Sequence, residues 1–462
     1  MGKTKKKEWT LRRPNKGWLA GSSATQTICS SFLLVIAVGT LLLTLPISSR
    51  TGRLGVIDAM FTATSATCVT GLVVRDTWTQ FTMFGQVVIL LLIQVGGLGL
   101  VTLTSFFALA AKRRMGFRDL RLLGESVSAS GYSQATEVLK IVIRLAFLFE
   151  AMGIVLLALA FVPQFGLEGI WISIFTAISA FCNAGFDLFG RFGQYSSLVP
   201  FVHNYYVQAV VMFLIMAGGL GFMVWVELAE YRKKRRLSLH AKVVLQFSVI
   251  FWVGGAVLLA LLEWSNPRTM GGLSVPGKIM AALFQSVSTR TAGMNTIDLA
   301  ACSPISKLLM SVLQFIGAAP GSTGGGVKVT TFAVLILTIR SVAQGRDDCV
   351  IGGHHIESKT VYRALTIIVI GAVAAFGSAV VVYYNTAETV SVIDCIFESC
   401  SAFGTVGLSV GVTGQLNTGA KLLYMACMFM GRVGPVSLAI SLTAKPDDNK
   451  RKVLPVGHIN VG

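Results

Sequence analysis

A short motif that ends in glycine recurs four times along the chain. The copies read TCVTGL, FCNAGF, TRTAGM and FGTVGL, and their glycines stand 108 to 114 residues apart. A phenylalanine precedes each glycine by nine or ten residues, and a serine follows that phenylalanine by four. Glycines that only pack helices together are common in membrane proteins, but they carry no such fixed offsets. The spacing therefore indicates four copies of one functional element, with glycines Gly71, Gly185, Gly293 and Gly407.

The chemistry that this element offers is that of its backbone carbonyl oxygens. Each copy begins as an apolar stretch of about ten residues, too short to cross a bilayer, and continues into an extended turn. Non-helical backbone at membrane depth persists only where it is buried in protein or lines a water-filled cavity. Four such turns around one axis would form a ring of carbonyls that replaces the water shell of a cation. The predicted ring residues are Val69, Thr70, Gly71, Asn183, Ala184, Gly185, Thr291, Ala292, Gly293, Thr405, Val406 and Gly407.

A second constellation interrupts the apolar stretch between Lys307 and Arg340. A phosphate-binding loop needs Gly-Lys-Ser/Thr after its glycines, whereas Lys328 follows a valine, so nucleotide binding is not expected here. The stretch is too long for one unbroken crossing of about 20 residues, and its glycine-rich run predicts a loop with free carbonyls. The predicted loop residues are Gly317, Ala318, Ala319, Pro320, Gly321, Ser322, Thr323, Gly324, Gly325 and Gly326.

Arg432 lies near the middle of the last apolar stretch. A charge at that depth is functional by default and needs a partner. The five donors of a guanidinium group could bind the free carbonyls of the loop at 317–326. We therefore predict that Arg432 binds this loop. A structural pair, or a side chain that snorkels to the membrane interface, is the alternative.

Four other charged residues have structural or functional readings. Arg290 and Glu398 flank the third and fourth motifs, and we predict a salt bridge between them that braces the ring. Glu150 is the lone carboxylate within a predicted helix, where a paired or protonated acid explains it as well as a transport role. Lys328 would repel a cation, so gating or packing is the expected role.

The elements that must position these residues are membrane spans. Hydrophobic residues make up 53% of the 462 positions and charged residues 13%, whereas soluble domains carry about 25% charged residues. The mean hydropathy is +0.71, and several charge-free stretches can each hold the roughly 20 residues that cross a bilayer. The predicted spans are 26–45, 85–110, 145–163, 205–226, 243–262, 308–339, 364–384 and 422–444.

The net charge of +18 follows the membrane topology rather than a nucleic-acid partner. With the N-terminus inside, most of the 39 lysines and arginines fall in inner loops, which is the positive-inside asymmetry. This predicts a multi-pass plasma-membrane protein, of bacterial inner-membrane type, with both termini cytoplasmic. The cysteines and histidines show no zinc spacing and no catalytic arrangement, so we expect neither an enzyme nor a bound cofactor.

The predicted fold is an all-α integral membrane protein of eight transmembrane helices. They form four parallel helix–pore-loop–helix repeats with pseudo-four-fold symmetry around a central pore. Parallel repeats favour a pore over a sodium-coupled carrier of an organic solute, which often uses inverted repeats. The predicted units are an N-terminus at 1–25, repeats at 26–111, 139–231, 240–340 and 362–444, and a tail at 445–462. The predicted pore loops are 58–72, 171–186, 279–294 and 393–408, and the glycine-rich loop of the third repeat is about 317–327.

The four motifs, together with QVGGLG, MAGGLG, APGSTGGGVK and MGRVGP in the second helices, resemble the Trk/Ktr/HKT superfamily of potassium transporters. Eight spans and the closing VGHINVG resemble its Ktr-type (NtpJ-type) membrane subunits. The resemblance implies potassium uptake, with potassium at the filter carbonyls and sodium as an activator. It also implies that the loop at 317–326 and Arg432 form an intramembrane gate. It also implies a homodimer in membrane lipid, seated on a cytosolic KtrA-type ring that binds ATP or ADP. Glycine in all four motifs resembles the potassium-selective members.

Overall fold

The computed structural model describes residues 24–99, 132–346, 349–386, 390–435 and 437–438, and these residues are mostly helical. The predicted N-terminus at 1–25 and tail at 445–462 lie outside the described residues, apart from residues 24 and 25. One small hairpin, with β1 at Val350–Ile351 and β2 at His354–His355, is antiparallel. The fold class is therefore the one that the sequence predicts.

The described helices repeat in a fixed order of a long helix, a short buried helix and a third helix. The long helices are α1 (Ala24–Leu43), α4 (Tyr132–Phe165), α8 (Leu239–Glu263) and α12 (Ser358–Thr386). The short helices are α2 (Val56–Thr67), α5 (Glu168–Cys182), α9 (Val275–Ser288) and α13 (Val392–Gly404). The third helices are α3 (Met83–Leu98), α6 (Tyr205–Gly219), α10 (Pro304–Phe315) and α14 (Thr418–Val433). Two further helices, α7 (Phe222–Lys234) and α11 (Val329–Ala343), continue α6 and α10 after a break, and Thr77–Gln80 forms a single helical turn before α3.

The four units close into a ring. Each third helix packs against the short helix of the next unit: α3 on α5, α6 on α9, α10 on α13, and α14 on α2. The last contact joins the end of the described chain to its beginning. The short helices are thereby held at the centre, where the motif phenylalanines Phe61, Phe175, Phe284 and Phe397 are all fully buried.

Four of the described helices are long and apolar enough to cross a bilayer by themselves, and they are the long helices of the four units. A bent pair, α6 with α7, makes a fifth crossing with a bend of 97°. Exposed leucines, valines and isoleucines cover the outward faces of the long helices, as expected where side chains contact lipid.

The third helices end at equivalent positions, near the level of the short-helix ends. The sequence predicts a break in the sixth span alone, but α3, α6 and α14 end at comparable points. Gly99, Gly221 and Gly434 follow these ends with φ of 82°, 88° and 95°, which a residue with a side chain rarely adopts. The break in the third unit is instead the loop between α10 and α11.

The start of each third helix is also repeated. Thr82, Asn204, Ser303 and Asn417 accept a hydrogen bond from the backbone N–H three residues later. Such an N-cap satisfies one of the unpaired amide groups of a first helical turn and stabilises a helix by about 1 kcal/mol. The four caps fix where each third helix begins relative to the ring.

Candidate functional site

The chain leaves each short helix through an alternating backbone conformation. The first residue of each predicted triplet has a positive φ, 57° at Val69, 58° at Asn183, 83° at Thr291 and 50° at Thr405. The motif glycines also have positive φ, whereas the residues between do not. Alternation of left- and right-handed angles turns successive peptide groups to one side of the chain. Positive φ is strained for valine and threonine, so neighbouring contacts must hold these residues in place.

Hydrogen bonds to the motif serines supply part of that restraint. Ser65 Oγ accepts from the N–H of Gly71 at 3.1 Å, and Ser401 Oγ accepts from that of Gly407 at 3.0 Å. Ser179 Oγ instead donates to the carbonyl of Phe186 at 2.6 Å, and Ser288 Oγ donates to that of Met294. Each serine thus ties the strand after its short helix back to that helix, which explains why all four copies carry one.

The four glycines lie against one another around a single axis. A Cβ on Gly71 would lie 2.5 Å from the carbonyl oxygen of Ala184, and one on Gly185 would lie 3.0 Å from that of Ala292. A Cβ on Gly293 would clash with the carbonyl of Val406, and one on Gly407 with that of Thr70. The neighbour relation runs through all four strands and returns to the first. The structure therefore brings the twelve predicted ring residues together, with no room for a side chain at the glycines.

A cavity of about 310 Å³ opens directly outside the glycines. All four motif glycines line it, together with three carboxylates, Asp76, Asp187 and Asp298, and its described lining contains no lysine, arginine or histidine. These acids are not among the residues predicted from the sequence, although each follows its motif glycine by two or five residues. Because the described wall carries carboxylates and no positive charge, the cavity attracts cations towards the ring.

Asp187 lies near a second carboxylate of this cavity, that of Asp76. Its Oδ1 accepts from the N–H of Phe189 at 2.9 Å. Burial, together with the nearby Asp76 carboxylate, raises the pKa of Asp187 to about 7, although the bond from Phe189 opposes the shift. Asp76 itself is held by the N–H groups of Thr79 at 2.8 Å and Tyr195 at 3.0 Å.

The predicted loop at 317–326 passes on the other side of the ring. Thr323 Oγ1 lies 2.9 Å from the side-chain amide of Asn183, and a Cβ on Gly324 or Gly325 would clash with Thr291 or Thr405. The loop thus packs against the first residue of three strands. Its amide groups also bond outward: the N–H of Ala319 reaches the carbonyl of Gly219 at 3.0 Å, and that of Gly326 reaches Gly431 at 3.1 Å.

Three cationic side chains bind the carbonyls of this loop. Arg290 Nη2 donates to Gly317 at 3.0 Å, Lys328 Nζ donates to Gly324 at 2.5 Å, and Arg432 Nη1 donates to Thr323. Only Arg432 is predicted from the sequence to bind the loop. A sequence signal was available for Lys328, which lies within an apolar stretch, where a charge needs local acceptors.

Arg432 also connects the loop to the first unit. Its Nη2 donates to the carbonyl of Gly97 at 3.2 Å and to that of Gly96, both at the end of α3. One guanidinium therefore links α14, the loop between α10 and α11, and α3. The guanidinium therefore has protein carbonyls as its partners, including one of the loop that the sequence predicts it to bind.

The predicted salt bridge between Arg290 and Glu398 is wrong. Glu398 instead accepts from the backbone N–H of Val410 at 3.0 Å and of Val412 at 2.7 Å, as well as from two hydroxyls. It fixes the loop after the fourth strand, while Arg290 binds the loop at 317–326. Glu150 accepts from the side-chain amide of Gln94 at 2.9 Å, which is the structural reading of that acid.

Inter-unit bonds at the outer rim form a further feature that is not among the sequence predictions. Lys307 on α10 lies 2.7 Å from Asp394 on α13, and Lys421 on α14 lies 2.6 Å from Asp58 on α2. Asp58 and Asp394 occupy equivalent positions in two motif copies. This repeated position is the sequence signal that could have predicted a shared role for the two aspartates.

Comparisons with known proteins agree with this architecture. A family profile described as TrkH, cation transport protein, matches residues 4–452. The Ktr system potassium uptake protein B of Bacillus subtilis is 35% identical over 438 residues, which cover 95% of this chain and 96% of that protein. The potassium/sodium uptake protein NtpJ of Enterococcus hirae is 37% identical, with 92% and 93% covered. The crystal structure of the potassium transporter TrkH from Vibrio parahaemolyticus superposes with a TM-score of 0.72 at 19% identity, covering 93% of this chain and 87% of that one.

Proposed function

Because this chain belongs to the TrkH family of cation transport proteins, we propose that its ring of four glycine triplets is the filter through which it takes up potassium. The chain is a multi-pass membrane transport subunit and not an enzyme. The relatives named above are potassium or potassium/sodium uptake proteins. The single observation that carries the proposal is the closed neighbour relation of the four glycines.

The proposed filter consists of the carbonyl oxygens of the twelve triplet residues. Alternating backbone angles in each strand favour carbonyls on one side, and oxygens in such a ring replace a hydration shell. The carboxylates in the outer cavity raise the local cation concentration before the ion loses its water. Dehydration at carbonyls rather than at charged groups keeps the ion from binding too tightly to leave.

The loop at 317–326 is the proposed gate. Its contacts with Asn183, Thr291 and Thr405 support a position across the ion path, directly inside the filter. A backbone without helical hydrogen bonds is costly at membrane depth unless other groups satisfy it, and Arg290, Lys328 and Arg432 satisfy part of it here. A gate of this kind opens when the loop exchanges those partners for water.

The orientation and assembly are also proposals. We place both termini and the basic loops in the cytoplasm of a bacterial cell, in accord with the positive-inside rule. The name of the Bacillus relative speaks of a system, which supports a partner component. We propose a homodimer on a cytosolic KtrA-type ring that binds ATP or ADP, with sodium as an activator.

Two experiments test the function. In the first, the chain is expressed in a cell that lacks potassium uptake, with and without the ring partner, and growth at low potassium is expected to recover. In the second, purified protein in vesicles is expected to carry potassium in preference to sodium and to exclude a non-electrolyte. Normal membrane abundance with no rescue and no ion flux in either arrangement would overturn the proposal. Flux of the non-electrolyte would indicate a solute carrier instead.

A further inference from the structure

A second cavity, of about 450 Å³, lies away from the ion path at the end of the molecule where α8 begins and α11 ends. One face of each of these helices forms its walls, and the β1–β2 hairpin forms its floor. The hairpin is attached to α11, since the N–H of Val350 donates to Ser341 Oγ at 3.4 Å. The larger apolar residues of the lining are Leu239, Val243, Phe247, Leu337, Val350 and Ile351.

Three cationic side chains surround the mouth of this cavity. Lys242 comes from the first turn of α8, Arg340 from the last turn of α11, and Arg346 from the segment after α11. All three are exposed, and none forms an ion pair with the residues that the structure describes, which leave out Asp347 and Asp348. No carboxylate belongs to the described lining. Three cations that form no ion pair with a described residue, around a partly apolar cavity, favour an anionic, amphipathic ligand.

The apolar surface continues from the cavity along the membrane-spanning parts of both helices. On α8, Val249, Ile250 and Val253 are exposed and follow the cavity residues by one or two helical turns. On α11, Ile336 and Ile339 are exposed beside Arg340. The cations thus stand at the polar end of an exposed apolar strip on two apolar helices, which is the arrangement that the headgroup and acyl chains of a phospholipid require.

We propose that this cavity binds the headgroup of an anionic phospholipid, with the acyl chains along the exposed strip of α8 and α11. The volume lies within the roughly 300–1,000 Å³ of small-molecule sites and accommodates a glycerophosphate group. Basic pockets between transmembrane helices bind anionic headgroups on the cytoplasmic side of membranes, which is the side proposed for these loops. The site is separate from the filter and gate, so its test does not depend on potassium transport.

The experiment measures lipid binding to the purified full chain by native mass spectrometry. Delipidated protein is titrated with phosphatidylglycerol or with phosphatidylcholine of the same acyl chains. Arg340→Gln, Lys242→Gln and the double variant are compared with wild type. Arg232→Gln serves as the control, because Arg232 is an exposed cation on α7 outside the cavity lining. Bound lipid is expressed per folded protomer, so that a loss of protein is not counted as a loss of binding.

The wild type is expected to prefer phosphatidylglycerol. Each single variant should bind it about five-fold more weakly, equivalent to about 1 kcal/mol per cation, and the double variant about 25-fold more weakly. Equal binding of the two lipids, or an equal loss in the Arg232 control, overturns the proposal. Complete displacement of the lipid by soluble glycerol phosphate at similar concentration would overturn it in favour of a free phosphate ligand. Efficient disulfide crosslinking between two copies of an Arg340→Cys variant would overturn it in favour of a protein interface.

Discussion

Lys421 Nζ lies 2.6 Å from Asp58 Oδ1, across 363 residues of sequence. This ion pair joins the third helix of the last unit to the short helix of the first and thereby closes the ring. Lys307 and Asp394 form the equivalent pair between the third and fourth units at 2.7 Å. The other two joints carry neutral hydrogen bonds, from Trp171 to Gln86 at 2.9 Å and between Tyr205 and Ser274 at 3.1 Å. Every joint of the ring therefore has a polar contact at its outer rim.

The pair between Lys307 and Asp394 should stabilise the ring measurably. Lys307→Ala leaves Asp394 without its cation, and we expect a loss below the ~3–5 kcal/mol of a fully buried pair, because the Asp394 side chain keeps 22% exposure. Thermal unfolding in detergent measures the loss. The reversed pair, Lys307→Asp with Asp394→Lys, should recover part of it, and Arg268→Ala at an exposed site should change little. If the double variant is no more stable to heat than the less stable single variant, the pair does not stabilise the ring.

A side chain at a motif glycine should reduce the selectivity for potassium over sodium. Gly185→Ser places a Cβ about 3 Å from the third strand and adds a hydroxyl oxygen among the carbonyls, so the spacing of the ring changes. Competition between the two ions in vesicle uptake measures selectivity. Gly254→Ser is the matched control, since nothing lies within 4 Å of that position. Unchanged selectivity in the single serine variants at all four motif glycines would contradict the filter assignment.

The sequence indicated the ring because its signal is a repeat. Four equivalent segments must adopt the same backbone conformation, so Gly71 and its three counterparts can be aligned from their spacing alone. The bond between Arg432 and the loop could also be predicted from the sequence. A guanidinium within an apolar span needs acceptors, and the predicted loop in the sixth span offers free carbonyls. Both inferences succeed because non-helical backbone and a charged side chain can each be stabilised in only a few ways at membrane depth.

Pairs between polar residues that are distant in the sequence could not be predicted in the same way. Arg290 and Glu398 lie close to the third and fourth motifs, but each side chain finds backbone groups of its neighbouring loop instead. Nearness to equivalent motifs does not place two side chains on facing surfaces. The pair between Lys421 and Asp58 depends on closure of the ring, which brings together chain ends that no local pattern relates.

Arg432 should control how freely ions pass the gate. Replacing it with glutamine removes the charge and several donors, so the carbonyls of Thr323 and Gly97 lose their shared partner and the loop is held less firmly. We expect higher maximal potassium uptake with little change in selectivity. Arg432→Lys keeps the charge but loses the planar fork. Uptake that rises in both variants indicates the clamp, and uptake that rises only with glutamine indicates the charge. Normal membrane abundance without a rise in either variant would exclude Arg432 from gating.

Potassium uptake should depend on external pH through Asp187. Burial raises the pKa of this carboxyl to about 7, so it is mostly ionised above pH 7 and mostly neutral below. The ionised form attracts cations into the outer cavity, and we therefore expect uptake at subsaturating potassium to fall as the pH drops from 8 to 6. One charge acting through a wet cavity supports a change of about two- to five-fold.

Asp187→Asn should give the low uptake at both pH values and abolish most of the pH dependence. Asp298→Asn, a carboxylate of the same cavity, serves as the matched control and should lower uptake while keeping the pH dependence. A pH profile that is unchanged in Asp187→Asn would assign the titration to another group.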